Sequence, residues 1–172
     1  DEDSLTMAVE AGLDLLKSHG AREEFDALYF ASTTAPYGEK SAGTLAATDI
    51  DLGTGVRTMD FGGTIRSGTS ALLAALDAVN AGSVRNVLVV AAVDRWGYPR
   101  SVMEATFGNA GAALMVSAGD AAVEVVAQVS LANEINDVWR TSSNRFVTTW
   151  EDRFVIQHGY DGTTKKAIHA VL

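Results

Sequence analysis

The sequence predicts an α/β fold built on a mainly parallel sheet. Two observations carry this. Segments with helical spacing alternate with short apolar runs, the pattern of chains that lay helices on a sheet. One run, NVLVVAAV (Asn86–Val93), is apolar without a break, which suits a central parallel strand covered on both faces.

The elements follow in order. Leu5, Ala8, Val9, Gly12, Leu13 and Leu16 recur at helical spacing and predict a helix over residues 1–16. Asp1, Glu2 and Asp3 put carboxylates at its start, where they complement the helix dipole, and Ser18-His19-Gly20 ends it. DALYFAS (residues 26–32) reads as a short buried strand. ASTTAPYGEKS follows as a loop, because Pro36 and Gly38 interrupt regular structure. The small-residue stretch 41–50 is expected to be helical. Residues 56–61 form the next strand, ending at Gly62-Gly63. Residues 67–80, with Leu72, Leu73, Leu76 and Val79 among alanines, form the clearest helix, and so many alanines imply close packing on several sides. Ala81-Gly82-Ser83 stops it. After the 86–93 strand, DRWGYPRS (residues 94–101) reads as a loop. Residues 110–116 and 123–131 are expected as two further strands. From Asn133 onward the text changes: Trp139, Phe146, Trp150, Phe154 and Tyr160 appear among more polar residues.

Composition narrows the function. With 172 residues and 47% hydrophobic content, the chain suits one domain with a real core. A net charge of -9 argues against a nucleic-acid surface, which needs a basic stripe, and against an anionic membrane. The absence of cysteine excludes disulfides, thiolate metal sites and thiol catalysis within this chain. No apolar run approaches the ~20 residues of a membrane span. The opening DEDS is not a signal peptide, and the expected location is cytoplasmic.

Few motifs stand out alone. FGGTIRSGTS lacks the ending of a phosphate-binding Walker loop. Gly63, Thr64 and Ile65 lead into a helix N-terminus whose amides can hold an anion; a glycine turn serving backbone geometry alone is the other reading. His19, His158 and His169 have no metal-ligand spacing, so no metal is expected. A Ser-His-Asp triad from Ser67 or Ser70 lacks its nucleophile elbow. Ser32-Thr33-Thr34, Thr64-Ile65-Arg66 and Asp94-Arg95 each follow a strand. Ligands of open α/β sheets bind beyond the carboxyl ends of the strands, so these three loops are expected on one rim, with ordinary loop chemistry as the alternative.

Five segments in order carry a family resemblance: DEDSLTMAVEAGLDLL, ASTTAPYGEKS, RSGTSALLAALDAV, VVAAVDRWGYPRSVMEATFGNAGAALMVS, and NDVWR with WEDRFVIQHGY. The chain resembles the thiolase superfamily, specifically the hydroxymethylglutaryl-CoA synthases and their ketoacyl synthase III-like relatives. The resemblance implies a thiolase-like α/β fold. Residues 1–132 correspond to the first βαβ-type half, with a mixed, mainly parallel sheet, and residues 133–172 to the beginning of the second. It also implies carbon–carbon bond chemistry next to a thioester and acyl transfer, with acyl-CoA as substrate or ligand and no covalently bound cofactor.

The resemblance places the nucleophile at Ile65 and the base on or near Thr34, and neither side chain is competent. The family's cysteine is activated at a helix N-terminus; losing it and the base costs orders of magnitude in rate. The usual aspartate of a GDGA-type turn is Asn109. Gly63, Arg66 and Ser67 frame the pocket floor, and Asp94, Arg95, Tyr98 and Arg100 are the candidates near the CoA entrance. The resemblance further implies a homodimer through residues 57–60. The resemblance also implies that the family's opening strand, which the 26–32 and 86–93 strands would flank, is missing, so a gap or two unpaired edges are expected, filled by other chain segments or subunits. Two alternatives stay open. One is a non-catalytic partner subunit. The other is a cysteine-independent retro-aldolase acting on an acyl-CoA through Tyr37 and Tyr98.

Overall fold

A computed structural model describes residues 2–19, 22–119 and 121–172. The chain divides into two compact units, Asp1–Asp94 with Gly108–Ala121, and Arg95–Phe107 with Ala122–Leu172.

The first unit is a four-stranded sheet flanked by helices. Its elements are α1 (Ser4–His19), β1 (Ala27–Ala31), α2 (Ala42–Asp49), β2 (Arg57–Phe61), α3 (Ser67–Asn80), β3 (Asn86–Val93) and β4 (Ala110–Ser117). The strand order is β2-β1-β3-β4. β1 runs parallel to both neighbours, and β4 returns antiparallel to β3. The strand predicted over residues 86–93 has the bounds of β3. The first helix runs on to His19, three residues past the expected end, and Asp1 and Gly20 lie outside the described residues. Asp3 caps it: Oδ1 accepts from the amides of Leu5 and Thr6, both at 2.9 Å.

The alternation of side chains across the strands builds two cores. Leu28, Phe30, Leu88 and Val90 pack with Leu5, Ala8, Ala46 and Ile50 of the α1 and α2 side. Ala27, Tyr29, Ala31, Val87 and Val89 pack with Ala71, Ala75 and Val79 of α3. All five residues of β1 are buried, so both faces of this strand are covered, which is what an unbroken apolar run requires. Each large side chain hidden this way contributes about 1.5–3 kcal/mol. α1 also crosses β4 at close range. A Cβ added to Gly111 would collide with the main-chain carbonyl of Met7, so only glycine fits there.

Two sequence expectations are overturned. No gap separates the 26–32 and 86–93 strands: β1 and β3 pair directly, from Ala27↔Val87 to Ala31↔Ala91. Two apolar parallel strands covered on both faces satisfy each other's backbone groups, and the chain alone makes a continuous sheet. β2 and β4 are the edges. The strand expected over 123–131 is also absent; those residues take no regular structure, and Val123 and Val126 are 81% and 86% exposed. Alternating hydrophobicity makes a strand only when a neighbouring strand takes up its backbone groups, and among the described residues none pairs with this segment.

The second unit holds α4 (Val102–Thr106), the short antiparallel pair β5 (Val138–Trp139) and β6 (Thr148–Thr149), and a C-terminal helical run. That run starts as α5 (Asp152–Phe154), passes through a π-helical stretch (Val155–Asp161) and ends as α6 (Gly162–Val171). Val147 is the one buried hydrophobic side chain among the described residues of this unit.

Candidate functional site

Parallel pairing puts the carboxyl ends of β2, β1 and β3 side by side. Three segments therefore share this rim: the loop after β1, the turn after β2, and Asp94 after β3. The amide of Ser32 donates to the carbonyl of Phe61 at 3.0 Å, which ties the first two together. A crevice of about 320 Å³ opens between them, bordered by Ser32, Tyr37, Lys40, Ser41, Asp60 and Gly62. Its Asp60 carboxylate is already engaged. Oδ2 accepts from Ser41 Oγ at 2.6 Å and Oδ1 from the Gly43 amide at 2.7 Å, which fixes the start of α2 to β2.

Gly63, Ile65 and Arg66 lie in the turn between β2 and α3, and Ser67 opens α3. Gly63 has φ +74°, a left-handed conformation that favours glycine. The turn is closed by Thr64: its Oγ1 accepts from the Arg66 amide at 3.2 Å, and its carbonyl accepts from the Ser67 amide at 3.0 Å. Two amides at this helix start are thus spent inside the turn. Ser67 is buried, while Ile65 stands out from the tip, 58% exposed. An isoleucine offers no atom that can take an acyl group.

Thr34 is a tie rather than a reactive group. Its Oγ1 accepts from the Asp94 amide at 2.9 Å and lies 3.3 Å from Ser32 Oγ. Its amide donates to Ser32 Oγ at 2.9 Å, and its carbonyl accepts from Ser4 Oγ at 2.7 Å. Ser4 and Ser32 are buried, so these bonds satisfy groups that water does not reach. The chain of contacts links α1, the end of β1 and the end of β3. It then continues to Asn109, whose Nδ2 donates to Asp94 Oδ1 at 2.6 Å.

Arg95, Tyr98 and Arg100 belong to the second unit. There the Arg95 guanidinium lies 4.7 Å from the Phe107 ring centre. Tyr98 stacks on Phe146 at 4.8 Å and accepts a hydrogen bond from Asn144 Nδ2 at 3.0 Å. Sequence reasoning passed over Ser4 and the bond between Asn109 and Asp94. The second was within reach: the register Val93↔Ala110 makes residues 94 and 109 neighbours once β3 and β4 are paired. Nothing in the sequence marks Ser4.

No family model matches the chain. The hydroxymethylglutaryl-CoA synthase of Thermococcus onnurineus is 32% identical over 155 residues, which are 85% of this chain and 43% of that protein. Among solved structures, an HMG-CoA synthase complexed with CoA has a TM-score of 0.82 at 17% identity, over 98% of this chain and 43% of that one. The 3-oxoacyl-(acyl carrier protein) synthase III of Pseudomonas aeruginosa PAO1 has a TM-score of 0.81 at 20% identity, over 100% of this chain and 56% of that one. The chain has the thiolase-like fold of these synthases. It spans less than half the length of the hydroxymethylglutaryl-CoA synthase it matches, and corresponds to the N-terminal part. The mixed sheet with its antiparallel β4 is the fold that this superfamily resemblance implied. Among the described residues, no helix is long and apolar enough to cross a membrane.

Proposed function

We propose that the chain is a hydroxymethylglutaryl-CoA synthase-like protein that binds acyl-CoA without forming an acyl-enzyme. The observation that carries the reading is Ile65, an aliphatic side chain held out from the tip of a turn whose Gly63 conformation and helix junction are intact. The relatives support the ligand class, since one structural neighbour is complexed with CoA. In this reading Gly63, Arg66 and Ser67 form the floor and Asp94, Arg95, Tyr98 and Arg100 the CoA entrance. Residues 1–132 and 133–172 are the first half and the start of the second. With neither nucleophile nor base, bond making at the thioester falls to a partner or does not occur.

The test is calorimetric titration of the chain with CoA, acetyl-CoA and acetoacetyl-CoA, followed by intact mass. Saturable binding of a thioester with no acyl adduct is expected. No binding at millimolar ligand, or a covalent acetyl adduct on the wild-type chain, overturns the reading.

A second reading, a non-catalytic subunit, is favoured by β2. Among the described residues β2 is an edge strand of the sheet, and Met59 on it is 44% exposed. Unpaired strand edges recruit another strand, and residues 57–60 are the segment through which a copy or a sister subunit pairs. Sedimentation of the wild type and of Met59→Lys tests it: a dimer converted to monomer supports the reading, and a wild-type monomer sinks it for self-association.

A further inference from the structure

The crevice between the loop after β1 and the end of β2 is not used by the acyl-CoA reading. The loop that walls it is pinned at both ends. The Thr34 carbonyl at its start accepts from Ser4 Oγ at 2.7 Å, and Ser41 Oγ at its end donates to Asp60 Oδ2 at 2.6 Å. Pro36 restricts the backbone between them. Ala35, Ala42 and Phe61 give the crevice an apolar part, and Tyr37, Glu39, Lys40 and Asp60 a polar one. Its volume of about 320 Å³ lies in the ordinary range of small-ligand sites, which join an apolar lining to a few placed polar groups.

The charges of this lining favour a cation. Glu39 and Asp60 supply two carboxylates against one ammonium, that of Lys40. The Asp60 oxygens are oriented by Ser41 Oγ and the Gly43 amide, and each keeps a lone pair for a further donor. Among the described residues Glu39 forms no salt bridge, not even with the adjacent Lys40. The Lys40 ammonium lies instead over the Tyr37 ring, 5.1 Å from its centre. That ring is 50% exposed. An aromatic face attracts an ammonium group, and here the chain's own side chain supplies one. Lys40 is exposed and sits on a flexible four-carbon stem, so it can swing into solvent and vacate the ring.

We propose that this crevice binds the ammonium group of a small alkylamine, with Lys40 as its built-in competitor. The ligand's ammonium takes the place of Lys40 over Tyr37, and its N–H groups donate to Asp60 and Glu39. Its short alkyl chain lies against Ala35 and Phe61. The inference goes beyond the acyl-CoA reading and does not rest on it.

The experiment is a saturation-transfer NMR titration of the full chain with n-butylamine, 1-butanol and butyrate, which share a chain length and differ in charge. Saturable binding of the amine is expected, with butanol and butyrate at least about tenfold weaker, because hydrogen bonds to charged groups are the strong ones. Tyr37→Leu should weaken the amine about threefold, and Glu39→Gln by about the same factor. Lys40→Met removes the competitor and a like charge, and should tighten the amine about threefold. All three positions are exposed, so an unchanged far-ultraviolet spectrum is expected for each variant. Absence of saturable amine binding, or equal binding of amine and butanol, overturns the site. Equal amine binding by the parent, Tyr37→Leu and Glu39→Gln also overturns it, since the net charge of -9 and not the crevice would then hold the ligand. An affinity that does not rise in Lys40→Met removes the competitor and the proposal with it. Tighter binding of butyrate, lost in Lys40→Met, makes the crevice an anion site and overturns the proposal.

Discussion

Asn109 Nδ2 donates to Asp94 Oδ1 at 2.6 Å, joining the residue just after β3 to the residue just before β4. The bond explains why an amide suits position 109. An aspartate there would set two carboxylates at hydrogen-bond distance, and both cannot ionise cheaply. Asn109→Asp is therefore expected to raise one carboxyl pKa. A raised carboxyl pKa destabilises the folded state above the unfolded value and stops doing so below it. The loss should be about 1–2 kcal/mol at neutral pH and should shrink as the pH falls below the ordinary carboxyl range. Urea denaturation of both proteins at two pH values measures it, and a loss independent of pH would show that charge is not the cause.

Thr34 makes a second prediction, because its hydroxyl joins two strand ends. Thr34→Val keeps the shape but leaves the Asp94 amide without its acceptor. A buried donor left unpaired costs about 1–3 kcal/mol, and this half-buried one is expected near the low end, about 1 kcal/mol. Thr34→Ser keeps the oxygen and should recover most of that. Chemical denaturation of the pair separates them; equal stability of the serine and valine variants would remove the hydroxyl from the account.

The same residue shows what was legible in the sequence and what was not. Strand positions were readable because burial writes itself into composition: NVLVVAAV had to be covered on both faces, and the loops after β1, β2 and β3 had to share a rim once those strands ran parallel. The resemblance led to Thr34 as the place of a base, and the residue type already excluded that chemistry. Its role as a tie depends on Ser4, Ser32 and Asp94, which meet only in the folded chain. Residues 123–131 failed in the opposite direction. Their valines alternate as a strand would, but pattern alone cannot supply a neighbour.

Asp26 precedes β1 and binds Arg85 through Arg85 Nη2 at 2.8 Å, Nε at 3.1 Å and the amide at 2.7 Å. The side-chain bonds from Arg85, then its amide, lower the Asp26 pKa from 3.8 to about 2. The sign is that of a depressed carboxylate. The stabilisation is present above 3.8 and is lost as the pH falls through about 2. Asp26→Asn should cost about 1 kcal/mol at neutral pH, since the pair is partly solvated. The variant should also lose less stability than the wild type between pH 4 and 2, a window set by the same shift. Parallel acid-denaturation curves for the two proteins would show the idea to be wrong.

The turn before α3 makes the last prediction. The chain has no cysteine, so Ile65→Cys introduces a single thiol. Position 65 is exposed and two residues before α3, so the substitution should not disturb the core. Helix N-termini stabilise a nearby thiolate, and thiols there fall from about 8.5 to 7 or below. Two amides of this junction are spent on Thr64, which limits the effect to what the remaining first-turn amides and the dipole supply. Alkylation by iodoacetamide across pH 6 to 10 (a range bracketing the ordinary thiol value of about 8.5) should give an apparent pKa about one unit below that value. A depressed value means that the turn can polarise a nucleophile when given one, so that in the proposed reading only the side chain at position 65 stands in the way of acylation. An ordinary value means that the self-closed turn does not polarise a thiol placed there, and Ile65→Cys would then not be expected to form an acyl-enzyme.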